Sequence, residues 1–258
     1  MSLPLSGKTV LVTRPRNQAR DLAEPLERLG ADVIVMPTIG IAAPEDPSSL
    51  NDALRNLDRY DWVVLTSVNG VAAVRARMTD LGLPFGNLMN RKIAVIGPST
   101  ARAFAEHFRE PDFVPEEYVA EAIEPGLGEV AGKSFLLARA DLARRDLALR
   151  LLARGASVDE VAAYRIVREA NDCELPDLFP DYVTLTSSEA VRATVAMLEE
   201  KGRGSWMHDS VLACIGPITA ATARALGFEP KVVAKDYTVP GLVEAMVKYE
   251  TASEAVHA

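Results

Sequence analysis

Apolar and polar positions along the chain follow one repeated alternation. Short apolar runs rich in β-branched residues stop at Gly, Pro, Ser or Thr and pass into stretches with helical spacing. In the first half this pattern predicts strands over 8–13, 31–41, 60–67, 93–97 and 113–114. Helices are predicted over 17–29, 69–81 and 120–130, with one starting at Pro98 and another carrying Leu50, Leu54 and Leu57. In the second half the predicted strands are 134–139, 158–167, 182–187, 211–216 and 231–234, and the helices 142–154, 189–201, 217–226 and 239–249. Gly30 closes the first helix, in which Pro25 predicts a kink or a late start. Pro37 interrupts the second run, 42–49 reads as a proline-rich loop, and Ser48 or Ser49 is the expected cap of the helix that follows. Strands alternating with helices in this way predict an α/β fold with parallel sheets covered on both faces.

The alternation is a duplication. Asp61 to Val71 reads DWVVLTSVNGV and Asp181 to Val191 reads DYVTLTSSEAV, an offset of 120 (181 − 61). Ile96-Gly97-Pro98 with Thr100 returns as Ile215-Gly216-Pro217 with Thr219, an offset of 119 (215 − 96). Gly7-Lys8, Arg14, Asp21-Leu22, Leu26, Gly30-Ala31 and Val33 return as Gly132-Lys133, Arg139, Asp146-Leu147, Leu151, Gly155-Ala156 and Val158, an offset of 125 (132 − 7). Three blocks in one order predict two similar flavodoxin- or Rossmann-like lobes, with the ligand expected between two similar walls.

Composition narrows the class. The 258 residues suffice for two domains of ordinary size, and no apolar run approaches the roughly 20 residues that cross a bilayer, so a cytoplasmic protein is expected. A net charge of −8 without a long basic run argues against a nucleic-acid partner. Cys214 lies in an apolar run and reads as a buried hydrophobe; Cys173 sits in a polar stretch and says little. His107, His208 and His257 share no spacing with cysteine or carboxylate, so no metal site is expected. Gly126-Leu127-Gly128 precedes a strand instead of following one, which removes it as a dinucleotide fingerprint. Gly7-Lys8-Thr9 and Gly132-Lys133-Ser134 lack the rest of a phosphate-binding loop and read as turns into the first strand of each copy.

Four strand-to-helix turns remain: Thr66-Ser67-Val68-Asn69, Gly97-Pro98-Ser99-Thr100, Thr186-Ser187-Ser188 and Gly216-Pro217-Ile218-Thr219. In an open parallel sheet such turns lie at the carboxyl ends of the strands, where ligands bind. Each helix start offers unpaired N–H groups and a partial positive charge suited to a carboxylate, and the hydroxyls add neutral hydrogen bonds. The competing reading for any single turn is plain helix capping, and for Asn69 both readings stay open. Arg14 and Arg139 end equivalent strands; each is either a ligand for an acidic group or a surface arginine at a strand end.

These residues resemble the uroporphyrinogen-III synthase family over nearly the whole chain. The resemblance rests on Val12-Thr13-Arg14-Pro15, Leu65-Thr66-Ser67 with Asn69-Gly70, Ile96-Gly97-Pro98 with Thr100, and Ala163-Tyr164-Arg165. Thr186-Ser187-Ser188, Ile215-Gly216-Pro217 with Thr219, and Tyr237-Thr238-Val239-Pro240-Gly241-Leu242 complete it. It implies two lobes joined by two extended segments, 33–41 and 158–167, with 1–37 and 167–258 in one lobe and 42–162 in the other. Two sequential lobes splitting near residue 130 are the alternative that sequence also allows.

The resemblance further implies cyclisation of hydroxymethylbilane, a linear tetrapyrrole bearing acetates and propionates, to uroporphyrinogen III with loss of water and inversion of the last ring. It implies no cofactor and a monomer. Tyr164 is the residue it marks as assisting departure of the hydroxyl, and the turns above, with Thr13, Arg14 and Arg139, are the expected substrate contacts. Strict alternation puts Glu160, Ala162, Tyr164 and Ile166 on one face of their strand and Val161, Ala163, Arg165 and Val167 on the other. A tyrosine that merely packs its ring is the competing reading. Two other classes compete: a two-lobed binding protein for a small anion, which would not turn over hydroxymethylbilane, and a nucleotide-dependent Rossmann-like enzyme, which a nucleotide thermal-shift screen would reveal.

Overall fold

The computed structural model describes residues 3–115, 123, 125–141, 145–169, 173 and 175–257, with side chains as far as 252. The strands are β1 (Thr9–Val12), β2 (Asp32–Val35), β3 (Ile39–Ala42), β4 (Trp62–Leu65), β5 (Lys92–Val95), β6 (Ser134–Ala140), β7 (Ser157–Arg168), β8 (Tyr182–Leu185), β9 (Val211–Cys214) and β10 (Val232–Val233). The chain divides into two units, Met1–Gly40 with Val167–Ala258, and Ile41–Ile166.

In the first unit the sheet order is β10-β9-β8-β1-β2, with every neighbouring pair parallel. Alternate residues of β1 feed opposite faces. Val10 and Val12 pack with Leu22, Leu26 and Met246, whereas Leu11 packs with Met36, Leu185 and Leu198. In the second unit the order is β3-β7-β6-β4-β5. Val63 and Leu65 face one core with Leu54 and Phe104; Trp62 and Val64 face another with Phe135 and Leu147. β4 and β8, which carry the repeated run, are buried along their whole length because neighbours flank them on both sides.

The duplication is visible bond by bond. The Asp61 carboxylate accepts the Ser134 N–H at 2.9 Å, and the Asp181 carboxylate accepts the Thr9 N–H at 2.8 Å. Each aspartate of one copy thus holds the first strand of the other copy in register. Gly30 and Gly155, which end the two equivalent helices, both take positive φ, at 92° and 82°.

Several expectations need correction. The run 31–41 is two strands, not one: β2 ends before Pro37, whose missing N–H cannot extend a ladder, and β3 joins the other sheet and continues to Ala42, inside the expected loop. The helix Arg16–Arg28 does not start late and runs through Pro25; burial of Ala19, Leu22, Ala23 and Leu26 outweighs the one hydrogen bond the proline forfeits. The helix Ser48–Arg55 has Pro47 at its N-cap with no side-chain cap bond. Asp46 accepts the Ser48 N–H at 2.9 Å instead, and the Ser48 hydroxyl and N–H hold that carboxyl below its usual range. The closing helix runs on to His257. Of the helix expected over 120–130, residues 120–122 and 124 lie outside the described residues, 123, 125 and 126 are helical, and the helix does not reach 128–130, where Gly128 takes a positive φ; the start of the helix expected over 142–154 also lies outside the described residues.

Candidate functional site

Each of the four turns follows a buried strand. Ser67 and Ser187 are extended N-caps, with φ of −158° and −161°, and their hydroxyls accept the N–H groups of Gly70 and Ala190, both at 3.0 Å. The capping reading therefore holds for both serines. Gly97 and Gly216 are the N-caps of the helices Pro98–His107 and Pro217–Ala225, with proline in the first turn of each. The two glycines serve different ends. Gly97 has φ of 78°, where a Cβ is strained. Gly216 is fully extended, but a Cβ there would stand 3.1 Å from the Tyr237 ring, so glycine admits a close aromatic neighbour.

The bulge in β7 decides where Tyr164 points. Arg139 pairs with Ala162, and the next residue, Ala140, pairs with Tyr164, so Ala163 is the extra residue. Alternation changes phase there, which corrects the expected faces: Val161 before the bulge, Ala163 in it, and Tyr164 and Ile166 after it, all meet one core cluster. The ring of Tyr164 is 6 % exposed, and its Oη lies 2.9 Å from Ser67 Oγ. The tyrosine thus packs its ring and also brings its hydroxyl to the carboxyl end of β4, onto the serine that caps the helix Val68–Asp80. Gly70 lets that helix approach β6, for a Cβ there would lie 3.3 Å from the Ala138 carbonyl.

The other candidates separate by exposure and partner. Thr66, Ser67, Asn69, Ser99, Thr186, Ser187 and Ser188 are partly exposed at the turns. Thr100 and Thr219 are buried, at 4 % and 5 % exposure. Ser188 Oγ lies 2.7 Å from Thr222 Oγ1; since Thr222 donates to the Ile218 carbonyl at 3.1 Å, Ser188 is the donor and ties two helices together. The Thr13 hydroxyl donates to the Thr184 carbonyl at 2.7 Å inside the sheet. Arg139 is buried, and its Nη2 is 2.7 Å from Glu160 Oε1. The reading of Arg139 as a surface arginine at a strand end is therefore wrong. Arg14 is half-buried, donates from Nη2 to Gln18 Oε1 at 3.0 Å, and burial lowers its pKa against the opposing charge of Asp21. Cys214 is buried in a core cluster, and burial pushes its thiol up to about 12, as suits a packing residue.

Three neighbours escaped the sequence. Gln18 stands one helical turn beyond Arg14, a legible spacing. Glu160 sits on a strand whose pairing to β6 the pattern does not state. Tyr237 lies in the closing motif, but no periodicity tells which turn it covers. Among the described residues no group of three or more His, Cys, Asp or Glu is arranged to hold a metal, and no helix is long and apolar enough to cross a membrane.

A duplicated α/β protein with capped strand-to-helix turns and a hydroxyl pair at one of them is the class this fold and site define. The sequence model of the uroporphyrinogen-III synthase HemD family matches residues 20–244. A uroporphyrinogen-III synthase of Synechococcus elongatus is 30% identical over 263 residues, covering 95% of this chain and 97% of its own. That of Escherichia coli is 24% identical, with 92% and 99% covered. Among solved structures, a mutant uroporphyrinogen III synthase of Thermus thermophilus superposes with a TM-score of 0.66 at 19% identity, covering 96% of this chain and all of its own. The uroporphyrinogen-III synthetase of Helicobacter pylori gives 0.58 at 18%, covering 94% of this chain and 99% of its own, so both structures speak for the fold. The chain belongs to the uroporphyrinogen-III synthase family.

Proposed function

We propose that this chain, a cyclising hydro-lyase of tetrapyrrole biosynthesis, converts hydroxymethylbilane to uroporphyrinogen III with Tyr164 as the hydrogen-bond donor to the departing hydroxyl. The observation that carries the assignment is the 2.9 Å contact between Tyr164 Oη and Ser67 Oγ at the end of β4. Ser67 Oγ accepts from Gly70 N–H, and in its contact with Tyr164 Oη either hydroxyl can be the donor.

The chemistry asks little covalent help of the protein. Electron push from the first pyrrole nitrogen expels the hydroxyl, which leaves as water on taking up a proton, and an electrophilic azafulvene forms. The last ring attacks through its already substituted carbon, and the resulting spiro intermediate fragments and recloses in the inverted sense. Folding the flexible chain of four rings into one geometry is the main task. A phenol ordinarily keeps its proton near neutral pH, so it can assist the leaving oxygen without tuning. The acetates and propionates suit the helix starts at Thr66 to Asn69, Gly97 to Thr100, Thr186 to Ser188 and Gly216 to Thr219.

The proposal includes a cytoplasmic monomer; sedimentation tests its oligomeric state. The decisive experiment supplies freshly made hydroxymethylbilane and separates the III from the I isomer. Formation of only the I isomer at the uncatalysed rate would remove the assignment.

A further inference from the structure

The two copies of the strand-end arginine have parted company. In copy two, Leu137 pairs with Glu160 across β6 and β7, and Glu160 takes Arg139, two residues beyond Leu137, at 2.7 Å. In copy one, Val12 pairs with Val35 across β1 and β2, and Arg14 stands two residues beyond Val12. Val35 is therefore the counterpart of Glu160, at the same offset of 125 (160 − 35) as the arginines (139 − 14). Where copy two has the carboxylate that neutralises its arginine, copy one has a valine that is 38% exposed.

The consequence is an arginine without its acid. Nε and Nη1 of Arg14 are buried with no hydrogen-bond partner among the described residues, and Nη2 meets the neutral Gln18 amide. Asp21 acts on Arg14 through space, but no salt bridge joins them among the described residues. The charge of Arg139, by contrast, is balanced by Glu160. A guanidinium withdrawn from water and left without an anion is costly, and any carboxylate that reaches it recovers that cost. Its fork matches a carboxylate in two-point geometry.

We propose that Arg14 is the anchor for one acetate or propionate of the substrate, received into the place that Glu160 fills in the other copy, and that Arg139 is structural. This deepens the reading of the chain as an enzyme of hydroxymethylbilane and rests on it. The side chain is partly exposed, so its fork can turn from Gln18 to the incoming acid. One fork and one missing glutamate make the site.

The test compares Arg14→Gln, Val35→Glu and Val35→Gln with the wild type. Arg14→Gln should raise KM for hydroxymethylbilane by about ten- to a hundred-fold, as loss of a charged hydrogen-bond pair does, with kcat much less affected. Its thermal midpoint without substrate should hold or rise, since an unpaired buried cation has been removed. Val35→Glu should supply the acid in cis, raise KM and raise the midpoint, while Val35→Gln leaves KM near that of the wild type. A KM for Arg14→Gln within two-fold of the wild type, or a lowered midpoint with unchanged KM, overturns the assignment. If the wild type leaves hydroxymethylbilane untouched, the functional reading fails, and titration with uroporphyrin III, a stable polycarboxylate, decides this one. Weaker binding by Arg14→Gln supports the anchor; equal binding removes it.

Discussion

Tyr164→Phe keeps the buried ring and deletes one oxygen, so packing and chemistry separate. The ring fills a core cluster with Val63, Leu65 and Leu136, and these contacts survive the change. Among the described contacts, the one lost is the 2.9 Å contact to Ser67, worth ~1 kcal/mol, while Ser67 keeps its bond from Gly70 at 3.0 Å and the helix stays capped. For a chain of this size ~1 kcal/mol lowers the thermal midpoint by about 2–4 °C. General-acid assistance contributes roughly 10²–10⁴ in rate, so kcat should fall at least ten-fold with KM nearly unchanged. Residual turnover should still yield the III isomer, because folding of the substrate, not the acid, selects the attacked carbon. Ser67→Ala is the control: it deletes the same contact and leaves the phenol. It should lower stability more, since the cap goes too, and lower kcat less. The assay is continuous supply of hydroxymethylbilane with chromatographic separation of isomers, beside a thermal melt. Full activity in Tyr164→Phe, or an equal loss in both variants, would refute the role given to the phenol.

Gly97→Ala should cost ~1 kcal/mol or more because φ is 78° there; a melt and a circular dichroism spectrum check it against Gly86→Ala, where a Cβ meets open space. The Ser134 N–H holds the Asp61 carboxyl below its usual range, with Lys133 and Lys92 adding to the effect. A depressed folded-state pKa stabilises above the unfolded value of about 3.9 and is lost as pH falls through the folded value, so Asp61→Asn should flatten the acid limb of the midpoint-versus-pH curve. Residues 39–168 hold a whole sheet with its two cores and should fold alone, whereas 1–128 carries β1 and β2 without β8 to join; amide exchange of both fragments reads this out. Turnover should survive dialysis against a strong chelator, and loss restored by one divalent metal would refute cofactor independence.

The fold was legible where one physical signal dominated. Apolar runs such as WVVL at β4 and YVTL at β8 are buried on both faces, so composition alone marks them as central parallel strands. Gly30 and Gly155 mark helix ends because few other residues tolerate their positive φ. Legibility failed where two signals opposed each other. The helix over 17–29 was legible, but Pro25 also suggested a late start, and the buried face of four apolar residues carries the helix back to Arg16. The bulge at Ala163 left no mark in the sequence, and without it alternation sends Tyr164 and Ala163 to opposite faces. At the site, Ser67 and Ser187 were readable as caps, yet the contact between Ser67 and Tyr164 spans strands 97 residues apart and needed the pairing of β6, β4 and β7 to appear.

The duplication is preserved in what holds the chain together and broken at the positions to which the proposed chemistry is assigned. Asp61 and Asp181 make the same bond to the same backbone place in the opposite copy, and Ser67 and Ser187 cap their helices with equal geometry. Selection for folding explains that, since both sheets need registered first strands and capped helices. The offset of 125 that aligns the arginines puts Ile39 in the place of Tyr164 (164 − 39), so Ser187 has no phenol in the equivalent position. The same offset puts Val35 in the place of Glu160, so Arg14 has no internal acid there. On the proposed roles, one copy keeps the proton donor and an arginine paired with Glu160, and the other keeps the anchoring arginine, without a salt bridge among the described residues, and an aliphatic side chain. A substrate with one departing hydroxyl and acidic groups on every ring needs one donor and at least one cationic anchor. Two identical halves would supply either pair twice. Divergence at residues 35, 39, 160 and 164 is therefore what an unsymmetrical reaction asks of a symmetrical scaffold.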